Sequence, residues 1–284
     1  MNNHYYNGRL LGGNAKTLKA ATNTGGQLAE VGLSLASSTE AGIVLKTGKT
    51  FSACTSSTAS CRTACTGFHG GNNALPSSQL AKVRKTLFFW HHPAAFRARL
   101  CSELHDFEQA CKAAGAEPIV RLNLSTDLCW QGAPHPEAPG ACDRIPQEFP
   151  RIKFGEYTAH APTKAGWRPE DIPQNMVLTY SRKNSLRDRH AAQSLEIGRP
   201  VAIVFTDGVS CNRAAYRLTL PNSWTIGGQT APVVDGDVHD AHWLTAAAQG
   251  ISSGRYIVGL RAKNRSRAGI ADMVRSGFAI LIPQ

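Results

Sequence analysis

Short, mostly apolar runs recur from residue 118 onward, and they restrict the fold more than any other feature of the chain. Helical or turn-forming sequence separates these runs, as between Ser185 and Leu195, where a helical stretch is closed by Gly198. Strands that are buried on both faces and alternate with helices are typical of parallel sheets. The sequence therefore predicts an α/β fold, a partial (β/α) barrel of about five to six mostly parallel strands. The predicted strands are Pro118–Leu124, Lys153–Thr158, Met176–Ser181, Pro200–Phe205 and Arg255–Leu260.

Two helices are predicted before the first of these strands. Apolar residues recur at helical spacing from Leu80 and continue beyond Pro93, which predicts a break between two helices at that proline. Gly115 is the expected C-terminal stop of the second helix. Residues 216–240 read instead as irregular β structure.

The N-terminal part of the chain is polar and rich in small residues. We expect residues 1–40 to form an extended arm, and residues 41–284 to form a single α/β domain. A first strand is predicted at Gly42–Lys46, followed by a Ser/Thr/Gly-rich cysteine loop over residues 51–73. No run approaches the about 18 apolar residues of a membrane span, and no leader-like apolar region is evident at the N-terminus. These features predict no membrane association and a cytoplasmic location.

The charge balance favours an anionic partner. The chain has 31 basic and 20 acidic residues, a net charge of +11. Such an excess suits nucleic acid, a nucleotide or an anionic cofactor, although it also occurs simply to keep proteins soluble. The basic residues cluster at Lys82–Lys85, Arg182–Arg189 and Arg261–Arg267.

Three of the eight cysteines, Cys54, Cys61 and Cys65, lie within twelve residues of one another. Thiolates on one loop can converge on a metal, and three ligands leave one coordination position open. That arrangement suits a catalytic zinc ion or a [4Fe-4S] cluster with one iron free to bind a ligand. The alternative is that some of these cysteines are ordinary small residues in a surface loop.

Polar residues follow several predicted strands at the point where the apolar run stops. Asn123, Ser125 and Asp127 follow the first of them, Tyr157 lies near the end of the second, and Ser181 ends the third. In parallel α/β folds, ligands bind at the carboxyl ends of strands, so these residues are candidate ligand contacts. Serine, threonine and aspartate also cap helices that follow strands, and that role is the alternative for each of them.

Two further groups are candidate anion or substrate contacts. Asp235, Asp237 and Asp240 lie in one short acidic segment that also contains His239, and this segment could bind a divalent cation or hold a ribose and an amine. An ordinary acidic turn is the alternative.

The second group is cationic. Lys263, in a basic run after the last predicted strand, and Arg121 could contact a phosphate or a carboxylate. A solvated basic loop is the alternative reading of the run around Lys263. The sequence has no G-x-S-x-G, H-E-x-x-H or P-loop motif, so the hydrolase and kinase classes that carry them lack support.

Taken in order, these segments resemble the gene-product-eighty-eight-like family of phage and bacterial proteins. The resemblance rests on short motifs spread over most of the chain, and it implies that the cell is a bacterium or a phage-infected host. They include Asn14–Thr17, the three-cysteine loop, the Arg121–Asp127 strand end, Phe154–Thr158, Asn175–Ser181, Pro200–Phe205, Asp235–Asp240 and Gly259–Lys263.

More remotely, a three-cysteine loop after the first strand of a βα series looks like the radical S-adenosylmethionine superfamily. That resemblance implies a [4Fe-4S] cluster held by Cys54, Cys61 and Cys65, together with S-adenosylmethionine and an electron donor. It places Ser125 and Asp127 near the methionine amine. The other expected cofactor contacts are the strand-end residues Asn123, Tyr157 and Ser181. The superfamily's common spacing is C-x3-C-x2-C, whereas both gaps are wider here.

The resemblance and the charge together imply an iron–sulfur enzyme acting on a nucleic-acid component or another small anionic substrate. The alternative is a zinc-stabilised phage protein that binds nucleic acid without catalysis. A third possibility is a phage interaction or inhibitor protein.

Overall fold

The computed structural model describes residues 6, 8–13, 20–65, 75–132, 141–264 and 266–282. The Asn14–Thr17 motif and residues 66–73 of the cysteine loop lie outside these ranges. The strands are β1 (Leu11–Gly12), β2 (Leu28–Leu33), β3 (Glu117–Arg121), β4 (Lys153–Thr158), β5 (Met176–Ser181), β6 (Val201–Thr206), β7 (Ser223–Ile226), β8 (Gln229–Asp235), β9 (Ile257–Arg261) and β10 (Ala279–Leu281). The helices are α1 (Ala59–Thr63), α2 (Pro76–His91), α3 (Pro93–Ala114), α4 (Ile145–Glu148), α5 (Asp188–Glu196), α6 (His242–Ala248) and α7 (Arg267–Arg275).

The strands are hydrogen-bonded in the order β1-β2-β3-β4-β5-β6-β9-β8-β7, with β10 also paired to β6. Pairing is parallel for β2 with β3, β3 with β4, β5 with β6, β6 with β9, β8 with β9 and β6 with β10. The pairs β1–β2 and β7–β8 are antiparallel. The predicted α/β class with a largely parallel sheet is therefore confirmed. The strand number is corrected to ten, and in the part of the chain that the structure describes the strands form an open path rather than a closed barrel.

The chain divides into two compact units; the sequence-based expectation was one α/β domain over residues 41–284. The first unit contains residues 1–55, 71–156 and 165–177, and the second contains residues 56–70, 157–164 and 178–284. No described helix is long and apolar enough to cross a membrane.

In the first unit, α2 and α3 meet at the predicted proline break. Pro93 begins α3, and Gly115 ends it with a φ of 67°, a left-handed conformation that glycine adopts without the steric cost of a Cβ. Phe89 and Phe96 pack edge to face at 5.4 Å between ring centroids, and Phe89 also packs against Trp130. These aromatic contacts pack α2 against α3 and against the segment that carries Trp130.

Part of the segment expected to form an extended arm lies in the sheet. Leu28–Leu33 forms β2, which pairs in parallel with β3 from Leu28↔Glu117 to Gly32↔Arg121. Its leucines Leu28 and Leu33 are buried, so this segment belongs to the core. The strand predicted at Gly42–Lys46 is also corrected: this stretch makes only an isolated bridge between Val44 and Thr50, and Val44 is 68% exposed.

In the second unit, β6 is the central strand, and it is buried along most of its length. Its side chains Val201, Ile203 and Phe205 pack with Leu195 of α5 and Ile257 of β9 in one apolar cluster. The stretch read as irregular β structure contains the β7–β8 hairpin. Because β5, β6, β8, β9 and β10 run in one direction, their carboxyl ends lie along the same edge of the sheet.

Candidate functional site

The second unit gathers hydroxyl, imidazole and cationic side chains where β4 and β5 end. We call this group the strand-end cluster. Two of its segments lie at or after the ends of these strands, and the others come from the turn before α1, from α1 itself and from the 3-10 helix Ser185–Arg187. The cluster consists of Ser56, Ser60, His160, Lys164, Ser181, Lys183 and Arg187.

A buried histidine lies at the centre of the cluster. His160 follows β4 by two residues and is 3% exposed. Its Nδ1 atom lies 2.6 Å from Ser56 Oγ and 2.8 Å from Lys164 Nζ. An ammonium group can only donate hydrogen bonds, so Nδ1 accepts in the lysine contact and the imidazole proton belongs on Nε2.

One guanidinium holds the two chain segments that carry the serine and the histidine. Arg187 Nη1 donates to the main-chain oxygen of Ser56 at 2.9 Å and to that of Ala159 at 3.4 Å. Ala159 immediately precedes His160, so Arg187 fixes the backbone on both sides of the short Oγ–Nδ1 contact. The 3-10 helix that ends at Arg187 sets this geometry.

The other half of the cluster surrounds the end of β5. Lys183 Nζ donates to Ser181 Oγ at 2.9 Å, and the main-chain oxygen of Lys183 accepts from Ser60 Oγ at 3.4 Å. Thr58 connects this half to the first, because its hydroxyl lies 2.8 Å from Ser60 Oγ and caps α1 by accepting from the Cys61 main-chain N–H. Ala64, which follows α1, is buried in an apolar cluster and anchors this segment in the second unit.

Two of the basic clusters in the sequence differ in whether their cations are paired with carboxylates. Arg261 contacts Asp235 and Asp237, and Lys263 contacts Asp237, so the cations at the end of β9 are paired with carboxylates. Hydrogen bonds and charges from these aspartates raise the pKa of Arg261 although burial alone would lower it.

The cluster around residues 182–189 keeps a positive excess. Arg182 pairs with Asp188, whereas Lys183 and Arg187 form no ion pair among the residues that the structure describes. The pKa of His190 is lowered, first by burial and then by the positive charges of Arg189 and Arg187. The strand-end cluster is therefore a local site of positive potential.

The predicted cofactor contacts after β3 lie in the first unit, where they hold the chain in a tight turn. Asn123 is buried, and its Oδ1 accepts from Thr126 Oγ1, the Leu128 main-chain N–H and Trp130 Nε1, at 2.8, 3.0 and 3.1 Å. Ser125 Oγ donates to the Leu35 main-chain oxygen at 2.6 Å.

Asp127 and Arg121 lie at either end of the same strand-end segment. The main-chain N–H of Asp127 donates to the Ala53 oxygen at 2.9 Å. Arg121 is half-buried, and its positive charge acts on the buried carboxyl group of Glu156. Contact of either side chain with a ligand stays a prediction.

The remaining predicted residues belong to the second unit. Ser181 is part of the strand-end cluster, whereas Tyr157 packs edge to face on His242 at 5.9 Å between ring centroids. His242 itself lies 2.8 Å from Thr179 Oγ1, inside the unit. Asp240 is 2% exposed, beyond the end of β8. The segment from Asp235 onward thus serves at least partly as an ion-paired turn.

The three clustered cysteines belong to different units of the chain: Cys54 to the first, and Cys61 and Cys65 to the second. Cys54, in the first unit, donates from Sγ to the Ser125 main-chain oxygen at 3.5 Å and accepts from the Ser38 N–H at 3.5 Å. Cys61 lies in α1, and Cys65 follows that helix. Within the described ranges, no three His, Cys, Asp or Glu side chains form a group that could hold a metal ion. The described residues thus do not present a three-thiolate centre, and ligation by Cys54, Cys61 and Cys65 stays a prediction.

Six residues of the cluster were not individual candidates in the sequence analysis: Ser56, Ser60, His160, Lys164, Lys183 and Arg187. His160 could have been found by looking two positions beyond the predicted end of its strand. Arg187 lies within the basic cluster at residues 182–189. Ser56 has no sequence signal of its own, because its partner in the short hydrogen bond lies 104 residues away.

Comparison with known proteins identifies the family to which the chain belongs. No curated protein and no solved structure matches the chain. A family described as gene product 88 matches residues 9–274, a range that includes every residue of the strand-end cluster. Because this match covers nearly the whole sequence, the resemblance drawn from the motifs is confirmed, and the protein belongs to the gene product 88 family.

Proposed function

We propose that the protein binds a small phosphate-bearing ligand, such as a nucleotide, at the strand-end cluster. The observation that carries the proposal is the placement of Lys183 and Arg187 among hydroxyl groups at the carboxyl ends of strands, with no carboxylate paired to either within the described residues. Carboxyl ends of strands in open α/β sheets are where ligands bind, because the loops there are free to approach them.

The types of donor in the cluster favour a phosphate over a neutral ligand. Ammonium and guanidinium groups make charge-assisted hydrogen bonds to phosphate oxygens, and serine hydroxyls add neutral donors in the same shell. Lys183 is half-buried, which limits the screening of its charge by salt. The proposal retains the small anionic substrate expected from the sequence and gives it a location.

Replacing Lys183 by glutamine should weaken the binding of inorganic pyrophosphate and of AMP about tenfold, or about 1.4 kcal/mol, because one charge-assisted hydrogen bond is lost. Isothermal titration calorimetry at fixed salt concentration measures the change. The matched control is Arg151→Gln, which removes an exposed positive charge from the first unit and should leave both affinities within twofold. Equal affinities in wild type and Lys183→Gln would remove the support for this site.

An iron–sulfur centre with S-adenosylmethionine and an electron donor is a separate hypothesis, which rests on the spacing of Cys54, Cys61 and Cys65. Iron and acid-labile sulfide in equal amounts in anaerobically purified protein, lost together in Cys54→Ala, would support it. Zinc without sulfide would instead support the zinc-stabilised alternative. Retention of an oligonucleotide that weakens steeply with salt would point to nucleic-acid binding.

A further inference from the structure

The shortest side-chain contact in the strand-end cluster joins a hydroxyl group to a potential base. We propose that Ser56 is a nucleophile that accepts a phosphoryl group from the bound ligand, with His160 as its general base. This inference rests on the proposed function, since Lys183 would hold the phosphate in both.

The geometry meets the first requirement for a nucleophile and its base. Ser56 Oγ and His160 Nδ1 are 2.6 Å apart, within the range over which a base can take a proton directly. Because Lys164 Nζ requires Nδ1 to be an acceptor, the serine hydroxyl is the donor in any hydrogen bond between Ser56 and Nδ1. Ser56 is half-buried, which leaves its oxygen partly accessible.

Arg187 acts as a positioning residue for this pair. It binds the main-chain oxygens of Ser56 and Ala159 through one nitrogen, and the two segments are therefore held together independently of the Oγ–Nδ1 contact. The main-chain N–H of His160 also donates to Thr158 Oγ1 at 3.0 Å, which fixes the histidine relative to the end of β4. Rigid placement of this kind is what lowers the entropic cost of a reaction.

The chemical step balances with the groups present. Ser56 Oγ attacks phosphorus, an O–P bond forms, and the bond from phosphorus to the leaving oxygen breaks. The hydroxyl proton passes to His160 Nδ1 and then to the leaving oxygen. Lys183 and Lys164 face the negative charge that spreads over the non-bridging phosphate oxygens.

The contact between Lys164 and His160 couples ligand binding to activation of the serine. Nδ1 has one lone pair, for which the Lys164 ammonium and the Ser56 hydroxyl compete. A phosphate that attracts the exposed Lys164 side chain leaves the lone pair to the serine proton. His160 is therefore most basic toward Ser56 when the anion is bound.

The test uses the full-length protein and 4-nitrophenyl phosphate. Release of 4-nitrophenolate and a phosphate group on Ser56, located by mass spectrometry after acid quenching, are the expected results. Ser56→Ala should abolish both, and His160→Asn should slow the release by at least about 100-fold. The matched control is Ser57→Ala, because Ser57 is the adjacent half-buried serine, whose hydroxyl accepts from Arg62, and both signals should persist.

The outcomes separate this inference from the proposed function. If wild-type protein binds pyrophosphate but Ser56 is never labelled, or if Ser56→Ala releases 4-nitrophenolate as fast as wild type, the nucleophile is wrong and the binding site stands. If pyrophosphate does not bind, both the proposed binding site and the proposed nucleophile are wrong. Should Ser56→Ala fail to fold, as judged by circular dichroism, Ser56→Thr keeps a hydroxyl and should still be labelled.

Discussion

Replacing Asp237 by alanine should lower the free energy of unfolding by about 2–3 kcal/mol, because a buried carboxylate that accepts charge-assisted hydrogen bonds is lost and a main-chain donor loses its acceptor. The Asp237 side chain is 4% exposed and accepts hydrogen bonds from both Lys263 and Arg261. Lys263 Nζ lies 2.5 Å from its Oδ1, and Arg261 approaches Oδ2 through its main-chain N–H at 3.0 Å and Nη1 at 3.3 Å. The substitution therefore removes the acceptor of the Arg261 main-chain N–H. It also removes one carboxylate that pairs with the side chains of Arg261 and Lys263.

Asp272→Ala is the control for this prediction. Asp272 pairs with Arg275 on the surface of α7, where the two side chains are 47% and 73% exposed. Exposed pairs are worth well under about 1 kcal/mol, so the control should unfold within about 0.5 kcal/mol of wild type. Urea denaturation followed by tryptophan fluorescence measures both variants. Similar losses for Asp237→Ala and Asp272→Ala would show that the pairing at the end of β9 is not a structural element.

Stability should also depend on pH through Glu156, a carboxyl group on β4 that is 1% exposed. Its oxygens accept from the main-chain N–H groups of Leu122 and Asn123. Burial raises its pKa from 4.5 to about 7, and the charge of Arg121 and the two hydrogen bonds offset only part of that rise. The folded protein thus holds this proton more tightly than the unfolded chain does.

The sign of the effect follows from that difference in proton affinity. The stability that protonated Glu156 contributes is fully present below pH 4.5 and is lost as the pH rises through about 7. The loss amounts to about 3 kcal/mol. Glu156→Gln removes the titration, so its stability relative to wild type should rise by about that amount between pH 5 and pH 8. Glu170→Gln, at a side chain that is 66% exposed, should show no such trend. A pH-independent difference between Glu156→Gln and wild type would contradict the prediction.

Apolar runs located the central strands of the sheet because those strands are buried on both faces. Lys153–Thr158 and Met176–Ser181 were predicted with the bounds that the structure has. Leu28–Leu33 was missed because Glu30 and Gly32 interrupt its apolar pattern. A Cβ at Gly32 would lie 2.9 Å from the Arg121 oxygen and 2.5 Å from Leu124, so glycine is needed where β2 approaches β3. The helix break at Pro93 and the stop at Gly115 were predicted because both depend on local backbone geometry.

The candidate site was less predictable because its contacts join distant parts of the chain. The expectation that ligand contacts follow the carboxyl ends of parallel strands pointed to the sheet edge where the strand-end cluster lies. It did not predict the pairing of Ser56 with His160 or the contacts of Arg187. It also could not separate cations that meet carboxylates from those that do not. Asp235 and Arg261 are 26 positions apart and become neighbours only because β8 and β9 pair in parallel.

A crystal of the wild-type protein soaked in tungstate, a heavy analogue of phosphate, tests the central claim most directly. The account predicts an anomalous scattering peak at the strand-end cluster, within hydrogen-bonding distance of Lys183 Nζ and a serine hydroxyl, and its loss in Lys183→Gln crystals. A peak at Arg261 and Lys263 instead, or none at the strand-end cluster, would contradict it.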